Sequence, residues 1–154
     1  MIFFNFKTGP MKTLLLNLFL ITSVYSSISA QDKPDSSKVE KHFTIENCVT
    51  EFSMEKVKNT KVGYQFWFAN RDFIDGRTLK MSVVAPRSAT HPPHKHVEDE
   101  FFFVLEGTAE FYLDGKTKVA GPYTSFYCPS NVEHGISNVG DTELKYLVIK
   151  KYQN

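Results

Sequence analysis

Four of the five histidines fall between residues 91 and 134. The densest stretch reads His91-Pro92-Pro93-His94-Lys95-His96-Val97-Glu98-Asp99-Glu100. His94 and His96 are two apart, so on a strand both point to one face, and Glu100 shares their parity. On a straight strand His96 and Glu100 would stand ~13 Å apart at ~3.3 Å per residue, too far for short side chains to hold one ion. The segment Val97-Glu98-Asp99 must therefore bend if these residues are to meet. His134 follows the turn-forming run Pro129-Ser130-Asn131-Val132-Glu133. Three imidazoles and a carboxylate suit one divalent transition metal, whether Fe, Mn, Ni, Cu or Zn. They suit Ca or Mg poorly, since those ions take mostly oxygen. On spacing alone the same residues also read as a surface histidine patch on an exposed, proline-rich loop.

The elements that must carry these residues read as short strands. Tyr64 to Phe68 is aromatic-rich and gives way to the polar Ala69-Asn70-Arg71-Asp72. Thr78 to Ala85, Glu100 to Leu105, Thr108 to Leu113, Lys116 to Ala120, Thr124 to Cys128, Gly135 to Asn138 and Glu143 to Lys151 follow. Thr108 to Leu113 alternates, with Ala109, Phe111 and Leu113 on one face and Thr108, Glu110 and Tyr112 on the other. Asp114-Gly115 is a two-residue hairpin signal. Phe43 to Lys58 is open between strand and turn. Eight or more short strands without a long helical period predict an all-β sandwich or barrel. The last strand is apolar on both faces, as suits a strand buried between sheets or packed on a partner subunit.

The N-terminal part reads differently. Lys12 precedes a mostly apolar run from Thr13 to Tyr25, and Ser26 to Ala30 are mostly small. This is the pattern of a secretory leader over residues 1–30, cut after Ala30, with Met11 as an alternative start. The apolar run is short of the ~20 residues a membrane-spanning helix needs, so no stable membrane anchor is expected after processing. Residues 31–42 are polar and read as a flexible linker, leaving 43–154 as the folded domain. The chain of 154 residues has a net charge of +1, too little for electrostatic binding of nucleic acid or an anionic membrane. Lys7 and Lys12 are the only charges in residues 1–30, so the remaining 124 residues carry net −1. An exported protein, secreted or periplasmic, meets an oxidising environment, where Cys48 and Cys128 either pair or remain two separate thiols.

Two motifs carry a resemblance. His94-Lys95-His96, three residues, Glu100, six residues and Gly107 is similar to the first cupin motif. Pro129-Ser130-Asn131, two residues, His134, three residues and Asn138 is similar to the second. The likeness runs from Met81 to Lys151. Asn131 stands where the second motif usually has glycine, and Asn tolerates a left-handed backbone. Gly121, which resembles the opening glycine of that motif, lies farther from Pro129 than usual. The resemblance implies a double-stranded β-helix, a jelly-roll barrel, with His94, His96, Glu100 and His134 as metal ligands inside one end. It also implies a possible homodimer joined through sheet edges.

The implied site keeps coordination positions for a small-molecule ligand. Parity puts Phe102 inside with Glu100. Phe102, Tyr112 and Tyr127 are the expected substrate-binding residues, with Phe126, Trp67 and Met81 as further wall candidates. His91, Glu98 and Tyr127 are candidate acid/base groups. Small members of this family act on unsaturated uronates released from polysaccharides. The first expected function is thus a metal-dependent isomerase, lyase or hydrolase of a sugar or uronate. The alternatives are an Fe(II)-dependent dioxygenase, a non-catalytic metal or sugar binder, and a structural role. A DNA-binding regulator is disfavoured by the absence of a helical reader and a basic patch.

Overall fold

Asp75-Gly76 and Asp114-Gly115 both turn with positive φ, at 40° and 71° and at 45° and 81°. A two-residue turn with left-handed backbone at both positions matches the twist of an antiparallel pair, and glycine supplies the second position at no steric cost. Asp75-Gly76 joins β2 (Gly63–Ile74) to β3 (Arg77–Val84), and Asp114-Gly115 joins β5 (Ala109–Leu113) to β6 (Lys116–Ala120). These elements belong to a computed structural model that describes residues 42–153. The expected leader and residues 31–41 of the linker lie outside the described residues.

Among the described residues the other strands are β1 (Lys58–Thr60), β4 (Glu100–Glu106), β7 (Ser125–Cys128), β8 (His134–Asn138) and β9 (Leu144–Lys151). They form a six-stranded sheet in the order β1-β2-β3-β9-β4-β7 and a three-stranded sheet in the order β6-β5-β8. Every pairing is antiparallel. The expected all-β class holds, and no helix among the described residues is long and apolar enough to cross a membrane.

The core lies between the sheets because alternation sends one face of each strand inward. Phe102, Val104, Leu144, Tyr146 and Val148 of the larger sheet pack with Ala109 and Phe111 of the smaller one. A second cluster, Phe66, Met81 and Val83 with Leu147, covers the opposite face of the larger sheet. Phe52 closes it, edge-on to Phe66 at 5.1 Å. That explains the two apolar faces of β9: it runs through the middle of a sheet covered on both sides near Leu147.

Two segments depart from expectation. β2 does not stop before Asn70 but continues to Ile74, with register shifts after Trp67 and Ala69. The irregularity lets exposed polar residues stay in the strand while the Ile74–Arg77 pair closes the hairpin. In the ambiguous N-terminal stretch, Ile45–Cys48 forms a short helix, α1. The Thr44 hydroxyl accepts from the Asn47 amide, and the Asn47 side chain accepts from the Thr44 amide, a reciprocal cap that favours helix over strand.

Candidate metal centre

Cross-strand register sets the inner face of the larger sheet in rows. One row holds Thr78, Lys150, Glu100 and Cys128, and the next holds Trp67, Lys80, Val148, Phe102 and Phe126. The first row lies at the end of the sheet where the histidine segment enters. The chain bends at Val97 and Glu98. As a result His96 Nε2 lies 3.5 Å from Glu100 Oε1, where a straight strand would have kept them far apart. Asn131 holds that bend: its amide donates to the His96 carbonyl at 2.8 Å, and its φ is 59°. The asparagine thus adopts the left-handed backbone that the motif resemblance implied for its position.

His94 and His134 meet through a backbone bridge, each amide donating to the other's carbonyl at 2.9 Å. Gly135 permits this approach, since a Cβ there would press to 3.3 Å on Pro93 Cα. The three rings stand with centroids 4.7 to 5.5 Å apart.

Each imidazole is oriented the same way. His94 Nδ1 lies 3.1 Å from the Pro92 carbonyl, His96 Nδ1 2.6 Å from that of Glu98, and His134 Nδ1 2.7 Å from that of Val132. A carbonyl only accepts, so Nδ1 carries a proton, and it is Nε2 that each ring can offer to an ion. One ligand atom from each of the three residues falls within 4.8 Å of the others. Glu100, 6% exposed, places Oε1 3.2 Å from His134 Nε2. A buried carboxylate needs cationic partners, and a divalent ion beside three aligned lone pairs would supply one. The donor set therefore fits a borderline transition metal.

Two neighbours modify this set. Cys128 is fully buried, and its sulfur can come within 4.8 Å of ligand atoms of Glu100 and His134. Burial and the Glu100 charge push its thiol pKa well up, so the neutral thiol is favoured over the thiolate. Lys150, from β9, brings Nζ to 3.0 Å from His96 Nε2, 3.7 Å from Glu98 and 3.8 Å from Glu100. The ammonium partly offsets the two carboxylates while donating to the His96 lone pair.

A cavity of about 190 Å³ opens beside the cluster, lined by His94, His96 and Glu100 together with Phe102. Trp67 also lines it, whereas Met81 turns to the opposite face and Phe126 packs on Phe102 and Phe111 in the core. Tyr127 does not reach the cavity. It pairs with Phe101 on the outer face and donates to Asp99 at 3.1 Å. Tyr112 also turns away from the core, donates to Glu133 at 2.7 Å, and lines a second hollow with His91 and Pro92. Both tyrosines sit next to an inward residue, Cys128 and Phe111 respectively, and alternation excludes two neighbours from one face. His91 is at the rim, where burial and then His94 hold its pKa below the usual imidazole value. Cys48 is exposed on α1 and Cys128 is buried on β7, and both thiols are free.

The sequence reading missed Lys80, Lys150, Gln65, Thr78 and Tyr146, which all line the cavity. A signal was present for the lysines: Lys150 continues the inward series Tyr146, Val148, and Lys80 alternates with Leu79 and Met81.

The family model of the cupin domain matches residues 80–150. No curated protein matches the chain. A predicted oxalate decarboxylase from Thermotoga maritima is similar in structure, at 23% identity and a TM-score of 0.54, over 57% of this chain and 78% of that one. The polyketide cyclase RemF from Streptomyces resistomycificus is 22% identical with a TM-score of 0.57, over 67% of this chain and 79% of its own. A cupin 2 conserved barrel domain protein from Salinispora arenicola is 17% identical with a TM-score of 0.57, over 68% of this chain and 87% of its own. At these identities the likeness is one of fold. The match across β3 to β9, together with the likeness in fold to solved cupin proteins, identifies residues 80–150 as a cupin domain.

Proposed function

We propose that the chain is a small metal-dependent enzyme acting on a compact polar metabolite, with a sugar or unsaturated uronate as the favoured class. The observation that carries this is the convergence of the three imidazoles, each with Nδ1 on a backbone carbonyl, with Nε2 of His96 and His134 beside Glu100. In this reading His94, His96, His134 and Glu100 hold the ion. When bound, such a metal supplies Lewis acidity toward a carbonyl or enol oxygen.

The chain's own residues supply the rest. Phe102 and Val148 form an apolar floor that keeps bulk water from the inner end of the cavity. Tyr146 is held protonated by burial, with the Ser82 and Thr90 hydroxyls acting against that shift, so it can donate to a substrate oxygen. His91 stays neutral at pH 7 and can accept a proton at the rim. A cavity of about 190 Å³ is smaller than the ~300 Å³ at which drug-sized pockets begin, which favours a small metabolite over a flavonol-like dioxygenase substrate. The proposal includes export: the Lys12, Thr13–Tyr25 and Ser26–Ala30 pattern would place the protein in the periplasm or outside the cell, where polysaccharide products arise.

Unsaturated uronates absorb in the ultraviolet, so turnover is read as loss of that absorbance. The expected outcome is a loss that stops on chelation and returns when Mn, Fe, Ni, Cu or Zn is added. A rate unaffected by chelation would overturn the metal-dependent reading, and oxygen uptake with a catechol would replace the uronate with a dioxygenase substrate.

A further inference from the structure

Lys80 stands in an apolar row. Its cross-strand partners are Trp67 on β2 and Val148 on β9, and its ammonium lies 5.2 Å from the Trp67 ring centroid. Among the described residues no carboxylate lies within 4.0 Å of it, whereas the neighbouring Lys150 is engaged by Glu98 and Glu100. Two other lysines of the same sheet also find acids, the half-buried Lys145 with Glu106 and the exposed Lys151 with Asp75. Lys80 is half-buried and lines the cavity. Burial lowers its pKa despite the nearby Glu100, which reflects the cost of keeping this charge where it is. Within the chain its partner is the Trp67 ring face, which offsets less of the desolvation cost than the carboxylates do for Lys150. The cavity lining holds two ammonium groups and one carboxylate, Glu100, which is already shared among His96, His134 and Lys150.

We propose that Lys80 recognises a carboxylate, so that the cavity takes a compact acid anchored by Lys80 at one end and by the histidine–glutamate cluster at the other. This rests on reading the cavity as the substrate pocket. The volume of about 190 Å³ suits a small ligand such as a sugar acid or a short hydroxy acid. Gln65 and Thr78 line the same wall and offer polar contacts for hydroxyl groups beside the acid. Trp67 supplies a flat face against which a sugar ring can lie.

The chain carries one tryptophan, so Trp67 fluorescence reports on this spot alone. The purified chain is titrated with galacturonate, glucuronate and glycolate, and with the neutral counterparts galactose, glucose and ethylene glycol. The expected result is a saturable change with at least one acid and none with its neutral counterpart. Lys80→Met should weaken that acid by about 30-fold or more, while Lys80→Arg keeps most of the binding. Equal response to acids and neutral compounds, or an unchanged affinity in Lys80→Met, overturns the inference, because a carboxylate held by a metal alone would not notice Lys80. Should Lys80→Met fail to fold, the acid-to-neutral comparison and Lys80→Arg decide the matter. Metal analysis of the same samples separates the two readings. A metal-free chain that still selects acids through Lys80 keeps this inference and sinks the metal site. A metal-loaded chain that does not select acids sinks this inference alone.

Discussion

His96→Ala is expected to weaken divalent-metal binding by at least about 100-fold and to abolish turnover, while the domain stays folded. Loss of a group that merely supports a ligand already lowers affinity ~10–100-fold, and removal of a ligand should do at least as much. His96 is a milder position than His134 because its side chain keeps 18% exposure, so water can enter part of the space that truncation leaves. His134→Ala should lose the metal as well, but with a second effect. His134 is fully buried against Glu100 and the Phe102 ring, so its removal opens a cavity and leaves the carboxylate short of a partner. That should destabilise the domain by about 2–3 kcal/mol even without metal. Metal content by mass spectrometry and thermal unfolding in chelator distinguish the two variants. A His96→Ala chain that binds metal as the parent does would remove it from the ligand set.

Asn138→Ala should be the most destabilising single change away from the ligands. Asn138 is 1% exposed. Its Nδ2 donates to the carbonyls of Val84, Ala85 and Thr142 at 2.8 to 3.0 Å, and its Oδ1 accepts from the Gly140 amide at 2.9 Å. One side chain thus ties the end of β3 and the β8–β9 turn to the end of β8. Truncation strands several buried polar groups at ~1–3 kcal/mol each, partly relieved by water, for a net loss of about 3 kcal/mol or more. For a domain of this size that lowers the melting midpoint by roughly 10–20 °C. A drop under 3 °C would show that the latch does little. Because His134 sits at the other end of β8, metal affinity should fall too, by less than in His96→Ala.

Much of this framework was legible from the amino acids. The Asp114-Gly115 hairpin and the alternation in β4 and β5 follow from local stereochemistry, and the bend between His96 and Glu100 from the reach of two short side chains. Asn131 was legible for the same reason, since few residues other than glycine accept its backbone. The inner wall was harder to read. Tyr112 and Tyr127 each neighbour an inward residue, and in β7, a strand of four residues, sequence alternation alone leaves the inward face undecided between Phe126 and Tyr127. The pairing of Cys128 with Glu100 decides it, and that pairing is long-range. Lys80 and Lys150 were missed because lysine in a strand is ordinarily solvated. Local alternation set Lys150 with Tyr146 and Val148, and Lys80 apart from Met81, but which face meets the cavity follows from register with Val148 and Glu100.

The tie between Cys48 and Cys128 that export would allow is absent. Their environments explain this: one thiol is exposed on α1 and the other is sealed beside Glu100. Cys128 serves as a buried packing residue in the core cluster.

The most direct test of the ligand set is anomalous diffraction from crystals of the tag-free chain equilibrated with one transition metal at a time. The expected result is a single strong peak at bonding distance, about 2.0–2.2 Å, from Nε2 of His94, His96 and His134 and from a Glu100 oxygen. A peak bound instead through Nδ1 atoms or the Cys128 sulfur, or no peak between the three rings with any metal, would contradict the account.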